Sequence, residues 1–115
     1  MFLYFLLDIV AVNMYNNNMN ESNEKYSWHP VKRQENITKH RLDFVLLADL
    51  VFEDPDLNIF DDTKPNKDNE QRRLAYALVD GTRLCLCFTH REDKIHLISL
   101  FKMHDKPWRK RYEKK

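Results

Sequence analysis

Four side chains between residues 72 and 96 are of types that carry out acid–base and phosphate chemistry. His96 is the first candidate catalytic residue, because a histidine has an unperturbed pKa of about 6.5 and can act as acid or base. Arg72 and Arg91 are candidates for binding a phosphate through a charged fork, and Glu92 is a candidate base. Each candidate has a structural alternative. His96 could be a buried histidine satisfied by a hydrogen bond, and the two arginines could simply be solvated at the surface. Glu92 could be a structural carboxylate in a turn.

These residues lie on or beside strands predicted from alternating apolar side chains. Residues 72–79, 83–89 and 94–101 place apolar or small residues on alternate faces, as strands do. Asp80-Gly81 is a two-residue hairpin signal between the first two segments, and residues 90–93 supply the next turn. We therefore expect an antiparallel β-meander.

Three helices are predicted around this sheet. The clearest follows Asp43, a good N-cap, and carries an apolar stripe at helical spacing formed by Phe44, Leu47, Ala48, Val51 and Phe52. A mostly solvated helix covers residues 30–40, with Pro30 in its first turn. A last helix has Asp105 as its predicted cap and Pro107 in its first turn. With short strands at 26–28 and 57–60, this order indicates an α+β fold whose helices can cover one face of the sheet.

Composition excludes several classes of protein. The 115 residues include one glycine, whereas dinucleotide-binding and nucleotide-phosphate loops need several for close backbone approach. Cys85 and Cys87 share a strand face and are poorly placed for a disulfide with each other. We interpret them as small buried residues, with a metal site as the less favoured alternative. The residues imply no metal or other cofactor, and the absence of a disulfide framework fits a reducing cytoplasm.

The first 24 residues are predicted to be an extension of a domain at 25–115. The apolar run 2–12 is interrupted by Asp8, lacks a preceding basic residue, and is too short to cross a membrane, so neither a signal peptide nor a membrane span is expected. The Asn-rich residues 13–23 are typical of a linker. One hypothesis is an over-extended gene start or dispensable tail, and the other is an apolar element that packs on the domain or on a partner.

Charge is strongly segregated along the domain. Residues 25–42 hold five basic and one acidic side chain, residues 43–70 two basic and nine acidic, and residues 71–115 twelve basic and five acidic. The chain could therefore present one face to an anionic partner and another to a cationic partner. The acidic stretch 53–62 suits a basic partner segment or simply aids solubility.

An ordered set of residues across 26–112 resembles the BrnT toxins of bacterial type II toxin–antitoxin modules. The resemblance opens with Tyr26, Trp28, Pro30 and Lys32, and continues through Asn36, Lys39-His40, Phe44, Ala48 and Val51-Phe52-x-Asp54-Pro55. It ends with Glu70-x-Arg72, Gly81, Thr89-x-Arg91, Ile95-x-x-Ile98-Ser99 and Arg111-Tyr112-Glu113.

The resemblance implies a compact RelE-like fold and a cytoplasmic ribonuclease that stops translation. It also implies a BrnA-like antitoxin with a ribbon-helix-helix part, a heterotetrameric complex, and binding to operator DNA only through the antitoxin. No membrane partner is expected.

The chain departs from the pattern of the family at several positions. His29 stands where the family usually has Asp, and Arg41 where it usually has Gly. The loop 61–70 lacks the usual His-Ser pair. His96 and Phe101 replace the two usual arginines of the last strand, and Phe101 cannot hold a phosphate.

RNA cleavage without a metal uses the 2′-hydroxyl as nucleophile, and needs a base, an acid and cations on the phosphate. The four candidates for these roles are His96, Arg91, Arg72 and Glu92. Further RNA contacts are expected from Lys39, His40, Lys102, Arg109, Arg111 and Tyr112. Lys39-His40 also suits the C-terminus of a helix, and Trp108 with Tyr112 could instead pack on the sheet.

Three functional hypotheses follow. The first is a toxin-module ribonuclease held by its antitoxin. The second is a catalytically degenerate relative that acts only in antitoxin binding and operon repression. The third is a small RNA-binding or structural domain outside any toxin system. A ribbon-helix-helix reading frame beside the gene would favour the first two, and activity would separate them.

Overall fold

A computed structural model describes residues 19–64 and 70–114. The apolar run 2–12, most of the Asn-rich segment, and part of the predicted polar loop lie outside these described residues. Strands β1 and β2 precede helices α1 and α2, strands β3 to β6 follow, and α3 ends the domain. Their bounds are β1 Glu21–Ser22, β2 Tyr26–Trp28, α1 Pro30–His40, α2 Phe44–Phe52, β3 Asn58–Asp61, β4 Arg73–Val79, β5 Thr82–Arg91, β6 Lys94–Lys102 and α3 Asp105–Tyr112.

The fold is α+β, as predicted, with a six-stranded sheet in the order β1-β2-β6-β5-β4-β3. The predicted meander of β4, β5 and β6 is confirmed, and Asp80-Gly81 forms its first turn with φ of 47° and 77°. The sheet as a whole is mixed, because β2 pairs with β6 in parallel. Parallel neighbours need a long connection, and here the chain between β2 and β6 forms both N-terminal helices and strands β3 to β5.

The sheet is covered on both faces. Helices α1 and α2 pack over one core, in which Phe44, Ala48, Leu86, Phe88 and Leu97 are almost fully buried. On the other face, α3 covers Tyr76 and Cys85 with Trp108. The prediction that helices cover one face is therefore too narrow: β5 is buried on both of its faces over residues 84–89.

Several element boundaries differ from the sequence predictions. β1 lies inside the predicted linker 13–23, where Glu21 pairs with Trp28 through the backbone and through the indole Nε1 at 3.1 Å. β5 extends through Arg91, so the turn that follows is only Glu92-Asp93. His104, rather than Asp105, is the N-cap residue of α3. Pro107 is still tolerated because the first backbone N–H groups of a helix have no intrahelical partner. No helix in the described part of the chain is long and apolar enough to cross a membrane.

Candidate functional site

A basic groove lies between α1 and β6. It consists of two adjoining cavities of about 240 and 290 Å³, small beside the roughly 300–1,000 Å³ of enclosed small-molecule sites. Arg72, Lys32 and Ile98 line both cavities. The first also includes Glu35, Asn36, Lys39, His40 and Ser99, and the second Asn20, His29, Arg91, His96 and Leu97. The structure therefore brings five of the predicted site residues together: Lys39, His40, Arg72, Arg91 and His96.

Asn36 holds α1 against β6 and so forms the groove. β2 pairs with β6 only as far as Leu97, which leaves the next part of that strand edge without a neighbouring strand. The buried Asn36 amide occupies this edge: its Nδ2 donates to the carbonyl of Leu100 at 3.0 Å, and its Oδ1 accepts from Leu100 N–H at 2.9 Å. Nδ2 also donates to the carbonyl of Leu42 at 2.8 Å. The basic side chains of α1 thereby lie beside β6.

A β-bulge at Ile98 changes the face of the sheet on which the following side chains of β6 lie. Cys87 is opposite Ser99 while Phe88 is opposite Leu97, so β6 contains one extra residue. As a result Leu97 and Leu100 both enter the same core, although strict alternation would place them on opposite faces. The extra residue, Ile98, lines both cavities of the groove.

Four side chains form a hydrogen-bonded chain at one end of the groove. Glu70 accepts from Nε and Nη2 of Arg91 at 2.7 and 2.8 Å. Nη1 of Arg91 lies 3.1 Å from Nε2 of His96, and Nδ1 of His96 lies 2.8 Å from Oγ of Ser27. The Arg91 hydrogen bond is the main reason that the pKa of Glu70 is lowered.

The geometry determines the protonation state of His96. Arginine can only donate, so Nε2 of His96 is the acceptor and Nδ1 carries the proton that is donated to Ser27. Burial, followed by the charge of Arg91, lowers the pKa of His96 to about 4. At neutral pH the ring is therefore uncharged, 5% exposed and hydrogen-bonded at both nitrogens. This is the alternative of a satisfied buried histidine, and a catalytic role for His96 stays a prediction.

Arg72 differs from Arg91 in its hydrogen bonding. Its Nε is buried and has no hydrogen-bond partner among the described residues. The side chain lies where the two cavities of the groove meet. An anion in the groove would lie beside the Arg72 side chain, and a phosphate-binding role for Arg72 stays a prediction.

Glu92 lies outside the basic groove. It is exposed in the β5–β6 turn with a φ of 54°, and it lines a neighbouring cavity that includes Ser27 and Arg91. Its position agrees with the alternative of a structural turn residue.

The remaining predicted RNA-binding residues also lie away from the groove lining. Arg109 pairs with Asp105 at 2.9 Å and with Glu113 at 3.7 Å, and Arg111 lies over the Phe60 ring. The Tyr112 ring stacks on Trp108, and its hydroxyl donates to Asp54 at 2.9 Å. Lys102 is exposed at the end of β6. Tyr112 thus stabilises α3, in line with the packing alternative.

Three departures from the BrnT pattern have structural explanations. Nδ1 of His29 accepts from Val31 N–H at 3.2 Å and caps α1, a role that Asp also fills. Arg41 ends α1 in the left-handed conformation, with φ 59°, which favours glycine. Phe101 packs in the smaller core with its ring 5.9 Å from that of His40.

The two cysteines are free and buried. Burial raises the pKa of the Cys85 thiol to about 12 and also raises that of Cys87. Within the described residues, no three His, Cys, Asp or Glu side chains are grouped as metal ligands would be.

Some residues of the groove and of the hydrogen-bonded chain beside it could not be identified as site residues from their types. Ser27 gives no signal in the sequence. Lys32, Asn36 and Glu70 were singled out only as positions of the resemblance, without roles. Glu35 was noted only as a charge on a solvated helix. Their roles depend on contacts across long stretches of chain, such as the 64 residues between Asn36 and Leu100.

A family model described as the ribonuclease toxin, BrnT, of type II toxin–antitoxin systems matches residues 28–106. The match covers well over half of the chain. The chain belongs to the BrnT family. Comparison with curated proteins found no match. Family membership confirms the resemblance, and it implies an antitoxin partner for this BrnT protein. The matched range contains every described residue of the groove except Asn20.

Proposed function

We propose that this BrnT protein is the toxin of a type II toxin–antitoxin module and cleaves RNA bound in the basic groove. The observation that carries the proposal is Arg72, whose side chain lines both of the cation-lined cavities of the groove. An open groove of this shape suits a polymer that runs across the surface. Its cations are side chains, so the charge stabilisation that a metal could provide is already present without one.

In the proposed reaction, the RNA 2′-oxygen attacks phosphorus, the 5′-oxygen leaves, and a 2′,3′-cyclic phosphate forms. Arg72 and Arg91 hold the phosphate, and Lys39 holds a neighbouring one. His40 is the groove histidine best placed for proton transfer, because its side chain makes no hydrogen bond to another described residue. His96, by contrast, is bonded at both nitrogens.

The proposed partners are a BrnA-like antitoxin with a ribbon-helix-helix part, and RNA. The proposed assembly is a heterotetramer in the cytoplasm that contacts operator DNA only through the antitoxin. Translation would stop through RNA cleavage, and a RelE-like fold is expected. Family membership supports the antitoxin, and the basic groove supports RNA.

A catalytically degenerate relative is the second candidate. Phe101 replaces one expected arginine, and His96 is neutral and fully hydrogen-bonded. Such a protein would retain antitoxin binding and operon repression without cleaving RNA.

Induced expression separates the two candidates. For a ribonuclease, we expect growth arrest and RNA fragments ending in cyclic phosphate. Arg72→Ala and His40→Ala should relieve both effects by about 100-fold or more, as loss of a transition-state contact does. Arg109→Ala, an exposed arginine outside the groove, is the matched control and should remain toxic. Normal growth at good expression, with purified protein that leaves RNA intact, would favour the degenerate relative.

A further inference from the structure

The Arg91 side chain is bonded to Glu70 and to His96, and His96 is bonded in turn to Ser27. We propose that His96 is a positioning residue rather than a proton carrier: together with Glu70 and Ser27, it fixes the guanidinium of Arg91 at the groove as a hydrogen-bond acceptor. The role in RNA binding rests on the proposed function. The hydrogen-bonding state of His96 can be tested without it.

The contacts on Arg91 restrain the plane of its guanidinium. Glu70 engages one edge through Nε and Nη2, and His96 engages Nη1 at 3.1 Å. Glu70 precedes β4, Arg91 ends β5 and His96 lies in β6, so the restraint is anchored in separate elements. A side chain held in this way loses less conformational entropy when a ligand binds.

The arrangement requires His96 to be neutral. If His96 were protonated, Nε2 would become a donor facing Arg91, which would remove the hydrogen bond and place two cations together. Arg91 selects the required form because it can only donate to Nε2, and Ser27 is compatible with that form, since its Oγ lies 2.8 Å from Nδ1 and can accept the Nδ1–H hydrogen bond. The charged or titratable groups that face His96 are Arg91, Glu70, His29 and Arg72. Only Glu70 favours the protonated form, and burial opposes it.

Nitrogen-15 NMR on the whole chain tests the state of His96. We expect one tautomer, with Nδ1 protonated and Nε2 unprotonated, at every pH from 6 to 8. Ser27→Ala should reduce this preference, because the acceptor for Nδ1–H is lost. An Nε2–H tautomer, or protonation of His96 between pH 6 and 7, would overturn the proposal whether or not the protein binds RNA.

Binding of a fluorescent 2′-O-methyl oligoribonucleotide, which 2′-hydroxyl attack cannot cleave, tests the positioning role. His96→Ala should weaken binding about tenfold. His96→Gln, whose amide oxygen can accept from Arg91, should stay within about threefold of the wild type. His104→Ala, at an exposed residue of the α3 cap, should bind normally. Circular dichroism checks that each variant folds.

The outcomes distinguish this inference from the proposed function. Equal losses of RNA affinity in His96→Ala and His96→Gln would show that a hydrogen-bond acceptor for Arg91 at position 96 does not determine binding. A wild-type pH dependence near pH 6.5 that disappears in His96→Gln would show that His96 carries charge to RNA. Both results would overturn the positioning role. If the wild type does not bind the oligonucleotide, the role in RNA binding fails together with the proposed RNA groove, while the NMR result still decides the state of His96.

Discussion

At the scale of single residues, His96 changes the hydrogen-bonding character of the site. The BrnT pattern usually has arginine there, and arginine can only donate. A histidine that is neutral accepts from Arg91, whereas a second arginine would repel it. The exchange therefore does not simply remove a cation. It places a hydrogen-bond acceptor beside Arg91 where an arginine would place another donor.

The protonation of His96 predicts a dependence of stability on pH. Its pKa is about 4 in the folded chain and about 6.5 unfolded. The unfolded state thus binds the proton more readily, so this contribution is complete above pH 6.5 and is lost as pH falls toward 4. We expect the free energy of unfolding to be about 2 kcal/mol lower at pH 5 than at pH 7 because of His96. Urea titrations at pH 5 and pH 7 should show a smaller difference in the free energy of unfolding for His96→Gln than for the wild type. An equal difference would contradict the assigned state.

Arg41 gives a prediction about backbone strain. A left-handed conformation costs a residue with a side chain roughly 1–2 kcal/mol, and glycine avoids this cost but loses more entropy on folding. Arg41→Gly should therefore raise the free energy of unfolding by about 0.5–1 kcal/mol. Arg41→Ala is the control: it removes the same side chain but keeps the strain, so it should not stabilise. Chemical denaturation of both variants decides whether backbone conformation or the arginine side chain matters.

At the scale of elements, Asn36 joins α1 to the open edge of β6. Its three hydrogen bonds satisfy the N–H and carbonyl of Leu100 and the carbonyl of Leu42. Asn36→Ala would leave buried backbone groups without partners, so we expect a loss of about 2–4 kcal/mol in the free energy of unfolding. Gln34→Ala, at an exposed position of the same helix, should change it by less than about 0.5 kcal/mol. Comparable losses of stability in Asn36→Ala and Gln34→Ala would show that the Asn36 amide does not specifically hold α1 against β6.

Local patterns were sufficient to predict most elements. The apolar stripe of α2, the Asp43 cap and the three alternating strands of the meander are all present as expected. The parallel pairing of β2 with β6 could not be predicted, because a three-residue strand contains no information about its partner. β1 was missed because two residues in an Asn-rich stretch have no periodicity.

At the scale of the whole molecule, the basic residues of the chain occupy separate surfaces. The groove gathers four basic residues from α1, β5 and the segment before β4, although they span nearly 60 positions: Lys32, Lys39, Arg72 and Arg91. The basic tail forms α3, on the opposite face of the sheet, where Arg109 pairs with two acidic neighbours. The net charge of the chain, which is +1, does not reveal this separation.

The separation predicts different salt dependences of RNA binding. A groove arginine that meets a phosphate displaces counterions, so Arg72→Ala should lower the slope of log affinity against log salt by about one unit. Arg109→Ala should leave the slope nearly unchanged. Titrations of the 2′-O-methyl oligonucleotide between low and moderate salt give both values. If Arg109→Ala changed the slope more than Arg72→Ala does, the RNA would bind at α3 and not in the groove.

The sequence by itself determined the fold class, the meander, the main helices and the family, because each depends on local periodicity, turn chemistry or an ordered set of residues. It also singled out His96, Arg91, Arg72, Lys39 and His40. Tertiary structure alone decided that these five share a groove, that Glu70 and Ser27 complete the hydrogen-bonded chain, and that Tyr112 packs on Trp108. The reason is physical: burial, hydrogen-bond partners and the protonation state of His96 arise only when segments far apart in the chain come together.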